Sequence, residues 1–96
     1  MRMKQKAKGI CAEAVRTYGI EKQSLIVCEE LSELMKEVSK AIRKGSQYNM
    51  ADMIEEIADV QIMIEQLEFY YGIEDSDIEM VIDRKTERLA KRMEER

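Results

Sequence analysis

Three observations predict an all-α chain, a four-helix bundle-like fold with two long central antiparallel helices. The 96 residues include no proline and only four glycines. Charged residues make up 38% of the chain and aromatics only 5%, a composition of helix formers and not of a sandwich or barrel. Apolar residues recur three and four positions apart over two long stretches, the spacing of one helical face. The whole chain, 1–96, reads as one domain, small enough that its own core is modest and self-association is expected to supply the missing burial.

The first helix is expected from Met3 to Thr17, with Ile10, Ala14 and Tyr18 or Cys11, Ala14 and Tyr18 along one side and Gly19 as a left-handed cap. The second runs from Glu21 to Lys44 on the stripe Leu31, Leu34, Met35, Val38, Ala41 and Ile42, and Arg43, Lys44 and Gly45 close it. Asn49, with Asp52 three residues on, opens a third helix striped by Met53, Ile57, Val60, Ile64, Leu67 and Tyr71, and Gly72 stops it. Ser76 and Glu79 read as the capping box of a fourth, which turns Ile78, Val81, Ile82, Leu89 and Met93 to the core. The second and third helices span about 30 to 36 Å at 1.5 Å per residue, so they form the central pair. Short connections make neighbours antiparallel. Ile62, Met63, Phe69 and Tyr70 add apolar surface outside the main stripe of the third helix, which suits a homodimer or homotetramer.

Composition narrows the function. The longest apolar run is Leu25 to Cys28, too short for a membrane span, and no signal-peptide pattern follows the Lys-rich start, so a cytoplasmic protein with no membrane partner is expected. Cys11 and Cys28 form no CxxC pair and the chain has no histidine, so neither a zinc site nor a disulfide framework is supported. Both cysteines read as reduced core or interface residues. The net charge is −4, and residues 46–83 hold eleven carboxylates without one Lys or Arg. That balance disfavours nucleic acid as a partner. It leaves the acidic block to meet basic helices, a bound cation or water.

Within that pattern each long helix repeats acid, acid, two residues, acid: Glu29, Glu30 and Glu33 in the second, Glu55, Glu56 and Asp59 in the third. Residues three apart share a helical side, so Glu30 with Glu33 and Glu56 with Asp59 each aim two carboxylates the same way. Acid pairs at this spacing are ordinarily solvated faces. These border apolar stripes, and if the helices run antiparallel, the four converge at a repulsive cost of several kcal/mol at ~4 Å and an effective dielectric near 20. A divalent cation removes that cost. Oxygen ligands without His or Cys select Mg²⁺, with Mn²⁺ as a substitute, or Ca²⁺, and Mg²⁺ commonly completes its shell from phosphates. No Gly-rich phosphate loop is present. Lys85 interrupts the apolar stripe of the fourth helix and is expected to face the active end, with Arg84, Arg88 and Arg92 nearby for phosphate oxygens.

With those residues in place, the chain resembles the MazG-like members of the all-α nucleotide pyrophosphohydrolase superfamily, whose signature is EExxE, a spacer, then ExxD. Here it reads Glu29-Glu30-Leu-Ser-Glu33 and Glu56-Ile-Ala-Asp59, with Gln23 ahead of it and Lys85-Thr-Glu-Arg88 behind. The resemblance implies that Glu30, Glu33, Glu56 and Asp59 hold Mg²⁺. It also implies cleavage of a nucleoside triphosphate between its α and β phosphorus atoms, giving monophosphate and pyrophosphate. Water attacks phosphorus, Glu33 or Glu30 assists its deprotonation, and Lys85 and Arg88 bind the substrate's phosphates. Base and sugar preference stay open. The alternative of another class is a non-catalytic helical assembly or nucleotide-binding regulatory module, with the acids in salt bridges. A di-iron bundle lacks its ExxH histidines.

Overall fold

A computed structural model describes residues 3–95. Those residues are all-helical, with α1 Gln5–Tyr18, α2 Ile20–Lys44, α3 Met50–Tyr71 and α4 Asp75–Glu94, and a single 3₁₀ turn, Gly45–Gln47, between α2 and α3. No helix is long and apolar enough to cross a membrane among the described residues.

The ends follow local chemistry. Gly19 alone separates α1 from α2, at φ 86° and ψ 152°, a positive φ that strains any side-chain-bearing residue. It is not the left-handed cap expected from the sequence. Its extended ψ makes a corner, so the second helix starts at once. Asn49 caps α3, its side chain accepting from the Ala51 N–H at 3.1 Å. At the other end Gly72 is left-handed, at φ 68° and ψ 29°. The Ile73 N–H reaches the Glu68 carbonyl at 2.9 Å and the Gly72 N–H reaches that of Phe69 at 3.3 Å, a Schellman closure. The fourth helix opens two residues before its expected box: Asp77 accepts from the Glu74 N–H at 2.8 Å, so Glu74 and Asp77 make the cap, not Ser76 and Glu79.

Three contacts fix the direction of the long pair. Going up α2, Gln23 meets Gln66, Glu30 meets Glu56 and Asp59, and Glu37 meets Tyr48. As the α2 number rises its partner's falls, so α2 and α3 are antiparallel. Across the Gly19 end lies α1, where the Cys11 thiol sits 3.7 Å from the Ile62 carbonyl and Arg16 stacks 5.1 Å above the Phe69 ring. The core is therefore concentrated in that half: Cys11, Ala12, Val15, Val27, Val60 and Met63, with Gln23 and Gln66 buried among them.

The expected stripes are corrected in two places. Beyond the reach of α1, Leu31, Met35, Val38 and Ile42 on α2 and Met50, Ile54 and Ile57 on α3 are exposed. The fourth helix does not flank the pair at all: it packs against no other helix of the chain and buries none of its residues. Its start is held to α1 by the Lys8 ammonium, 2.8 Å from the Asp75 carboxylate. From residue 84 to 92 only Leu89 and Ala90 are apolar.

Candidate metal centre

The inner line of α2 carries polar residues seven apart, Gln23, Glu30 and Glu37, and α3 answers with Gln66 and Asp59. Seven residues are two helical turns, so each returns to the face that meets the other helix. The result is a seam with three polar rungs between apolar ones.

The rungs nearest the ends each form a bond across the seam, although Gln23 Oε1 is buried with no partner. Gln23 Nε2 donates to Gln66 Oε1 at 2.8 Å, and Gln66 Nε2 points to the Met63 sulfur at 3.6 Å. At the other end the Tyr48 hydroxyl donates to Glu37 Oε1 at 2.6 Å, and Lys40 stands 3.5 Å from the second oxygen. That hydroxyl bond, more than the lysine, holds the Glu37 carboxyl below its usual range. Burial first, then the same bond, pushes the Tyr48 phenol up to about 12.

The middle rung has no such closure. Glu30, Glu56 and Asp59, all half-buried, bring one carboxylate oxygen each within 4.8 Å of the others. Glu56 Oε2 is shielded from solvent and has no hydrogen-bond partner. Both flanking carboxylates are acceptors when ionised, so neither can serve it. Burial first, then a bond to Glu30 that forms once a proton is present, then repulsion from Glu30, Asp59 and Glu33 push the Glu56 carboxyl up to about 7.

Of the four acids singled out from the sequence, Glu30, Glu56 and Asp59 are brought together. Glu33 stands at the margin, its carboxylate turned to Lys36 at 3.3 Å, yet close enough to add to the repulsion on Glu56. Lys85 and Arg88 are exposed on α4 and not against the acids, since that helix packs on neither α2 nor α3. This corrects the expectation that Lys85 faces the active end of its own bundle. Gln66, Glu37 and Tyr48 were missed. The seven-residue polar spacing was a usable signal, hidden because an apolar stripe one position away looked stronger.

A second acid group, Glu65, Glu68 and Asp75, is equally tight. It already holds a cation of the chain, because Lys8 Nζ lies 2.8 Å from Asp75 and 3.6 Å from Glu65. The hydrogen bond that Lys8 donates to the Asp75 carboxylate is the main reason the Lys8 pKa is raised. An open groove of about 590 Å³ runs over this junction, lined by Glu65, Glu68, Phe69 and Asp75 among others. It lies at the α1 end of the pair and does not reach the middle rung.

The middle rung fits a hard cation on its own terms. Oxygens bound to one ion at 2.0–2.6 Å lie no more than about 5 Å apart, and a donor set of three carboxylates suits Mg²⁺, Mn²⁺ or Ca²⁺. The orphaned Glu56 oxygen is the atom such an ion would satisfy. Compared with protein-family models, curated proteins and solved structures, the chain matches none of them.

Proposed function

We propose that the chain is a Mg²⁺-dependent nucleoside triphosphate pyrophosphohydrolase, converting NTP or dNTP and water to the monophosphate and pyrophosphate. The observation that carries this reading is the middle rung, where Glu30, Glu56 and Asp59 crowd together around a carboxylate oxygen with no donor. Its neighbours on the same seam pair off, so the crowding is a property of those three acids and not of the helix pairing.

Glu30, Glu56 and Asp59 would hold the ion, with Glu33 beside them. A divalent cation there supplies neutralisation of phosphate charge and a more acidic water. Glu33 or Glu30 accepts the proton as water attacks the α phosphorus. Glu33 is the freer of the two, since its own partner, Lys36, sits three residues away on an exposed ridge. The half-buried position of the acids lowers the local dielectric, which strengthens each of these charge interactions. Lys85 and Arg88 supply the cations for the triphosphate, once α4 is brought to the site.

The exposed apolar side of α4 supports a second reading, a helical assembly module that binds nucleotides without cleaving them. One experiment separates the two. Pyrophosphate release is measured over a panel of ribo- and deoxynucleoside triphosphates with Mg²⁺, with Mn²⁺ and with chelator. Turnover that needs the metal is expected; no release from any triphosphate retires the enzyme reading. A melting temperature raised by Mg²⁺ and raised again by a non-hydrolysable triphosphate, without turnover, then supports the module.

A further inference from the structure

Glu30 stands seven residues from Gln23 and seven from Glu37, so the crowded acids sit midway between two polar ties. Among the described residues, two side-chain hydrogen bonds join α2 to α3 and the residue that leads into it: Gln23 to Gln66 at 2.8 Å, and Tyr48 to Glu37 at 2.6 Å. Repulsion among Glu30, Glu56 and Asp59 pushes the two helices apart between these ties. The two ends resist that push unequally. At the glutamine end α1 lies across the pair, and Val15, Val27, Val60 and Met63 are buried with it. At the other end Met35, Val38, Ile42, Met50 and Ile54 are exposed, so packing contributes less there.

We infer that Tyr48 is a positioning residue of the acid centre: its hydroxyl clamps the start of α3 to α2, so that Glu56 and Asp59 stay on Glu30 in a shape ready for a divalent cation. Tyr48 immediately precedes Asn49, the α3 cap, and its own N–H closes the 3₁₀ turn on the Gly45 carbonyl at 3.1 Å. From there the phenol reaches back to Glu37, two helical turns along α2 from Glu30. Glu37 has a second partner, Lys40 at 3.5 Å, but that lysine belongs to α2 and ties nothing across. The Glu37 side chain is only 13% exposed, a sheltered setting in which a bond to a carboxylate is strong. Without the hydroxyl the helices relax apart, and a cation must draw them back before it binds, which lowers its affinity. The clamp itself stands on these bonds and on the crowding of the acids; that it serves a cation rests on the function proposed above.

Urea unfolding of the full chain in chelator tests the clamp with no metal present. Tyr48 and Asp59 are about 16 Å apart at 1.5 Å per residue, a separation at which independent substitutions add. Asp59→Asn is expected to raise the midpoint in the wild type and to raise it less in Tyr48→Phe, where the acids have already moved apart. An equal or larger rise in the Tyr48→Phe background overturns the clamp. Isothermal titration of the substrate-free chain with Mg²⁺ tests its service to the ion. Tyr48→Phe deletes the donor and Glu37→Leu the acceptor, and each is expected to weaken binding about tenfold, the low end for losing an outer-shell partner of a metal. Glu37→Gln keeps an acceptor for the hydroxyl and is expected to hold most of the wild-type affinity. Unchanged affinity in Tyr48→Phe, or a loss in Glu37→Gln as large as that in Glu37→Leu, overturns the positioning role. A wild type that takes up no Mg²⁺ sinks the proposed function instead, and the urea midpoints then decide the clamp alone.

Discussion

Two rungs of one seam use the same geometry to opposite ends. At Gln23 and Gln66 the facing side chains are both donor and acceptor, so a bond at 2.8 Å joins the buried pair and only Gln23 Oε1 is left without a partner. Two helical turns further along, Glu30, Glu56 and Asp59 face one another with acceptors only. The first rung settles the register of the helices; the second leaves them with a charge that the chain does not neutralise from within the seam. Amide against amide is a structural solution. Carboxylate against carboxylate at the same depth costs stability unless something positive arrives.

Removing one acid should separate the two roles most sharply. Asp59→Asn keeps the shape and deletes a charge, so turnover is expected to fall by more than the ~100-fold that loss of an outer-shell partner of a metal costs. The metal-free variant is expected to melt no lower than wild type, because repulsion on Glu56 is relieved. Steady-state rates and thermal melts in chelator check both halves. A variant that loses stability along with activity makes Asp59 a structural residue and dissolves the contrast with the glutamine rung.

The glutamine rung should give the opposite pattern. Gln66→Ala strands the buried Gln23 amide and is expected to cost about 1–3 kcal/mol in urea unfolding, the penalty of a buried group left unpaired. Replacing both, Gln23→Leu with Gln66→Leu, is expected to cost much less than the single change, because no polar atom remains to satisfy. Metal-dependent turnover should survive the double change. If the double variant is instead the worse of the two, the rung contributes through its bond and not through the avoidance of an orphan.

How far these rungs were legible in the sequence depends on what each residue's neighbours reveal. Helix content, the four elements and the acids Glu30, Glu56 and Asp59 followed from spacing and from the missing prolines. Of the stripe Leu31, Leu34, Met35, Val38, Ala41 and Ile42, Leu34 and Ala41 are half-buried and the other four exposed, because periodicity says which residues share a face but not whether a partner covers it. In this chain the inward line runs through Gln23, Val27, Glu30 and Leu34, the first two buried and the last two half-buried, and its polar members weaken the pattern. For α4 the stripe was read correctly as apolar and wrongly as covered. Its five basic residues between 84 and 92 were visible, but a charge pattern does not say which surface, if any, it meets.

The smallest expected effect is also the most specific to the middle rung. Glu56 titrates at about 7 in the folded chain against 4.5 for an ordinary glutamate, chiefly because burial disfavours its charge. A carboxyl whose folded pKa lies above its unfolded one favours folding in its protonated form, so its stabilisation is full below about 4.5 and is lost as pH rises through about 7. Glu56→Gln mimics the protonated state at every pH. In chelator, wild type and variant should therefore melt together near pH 4.5 and diverge by pH 8, with the variant the more stable. Magnesium at pH 8 should close the gap by raising wild type alone, since the ion takes the place of the proton at the oxygen that has no donor. Curves that stay parallel from pH 4.5 to 8 would mean that the glutamate is relaxed into water, and the distinction between the two rungs would vanish with it.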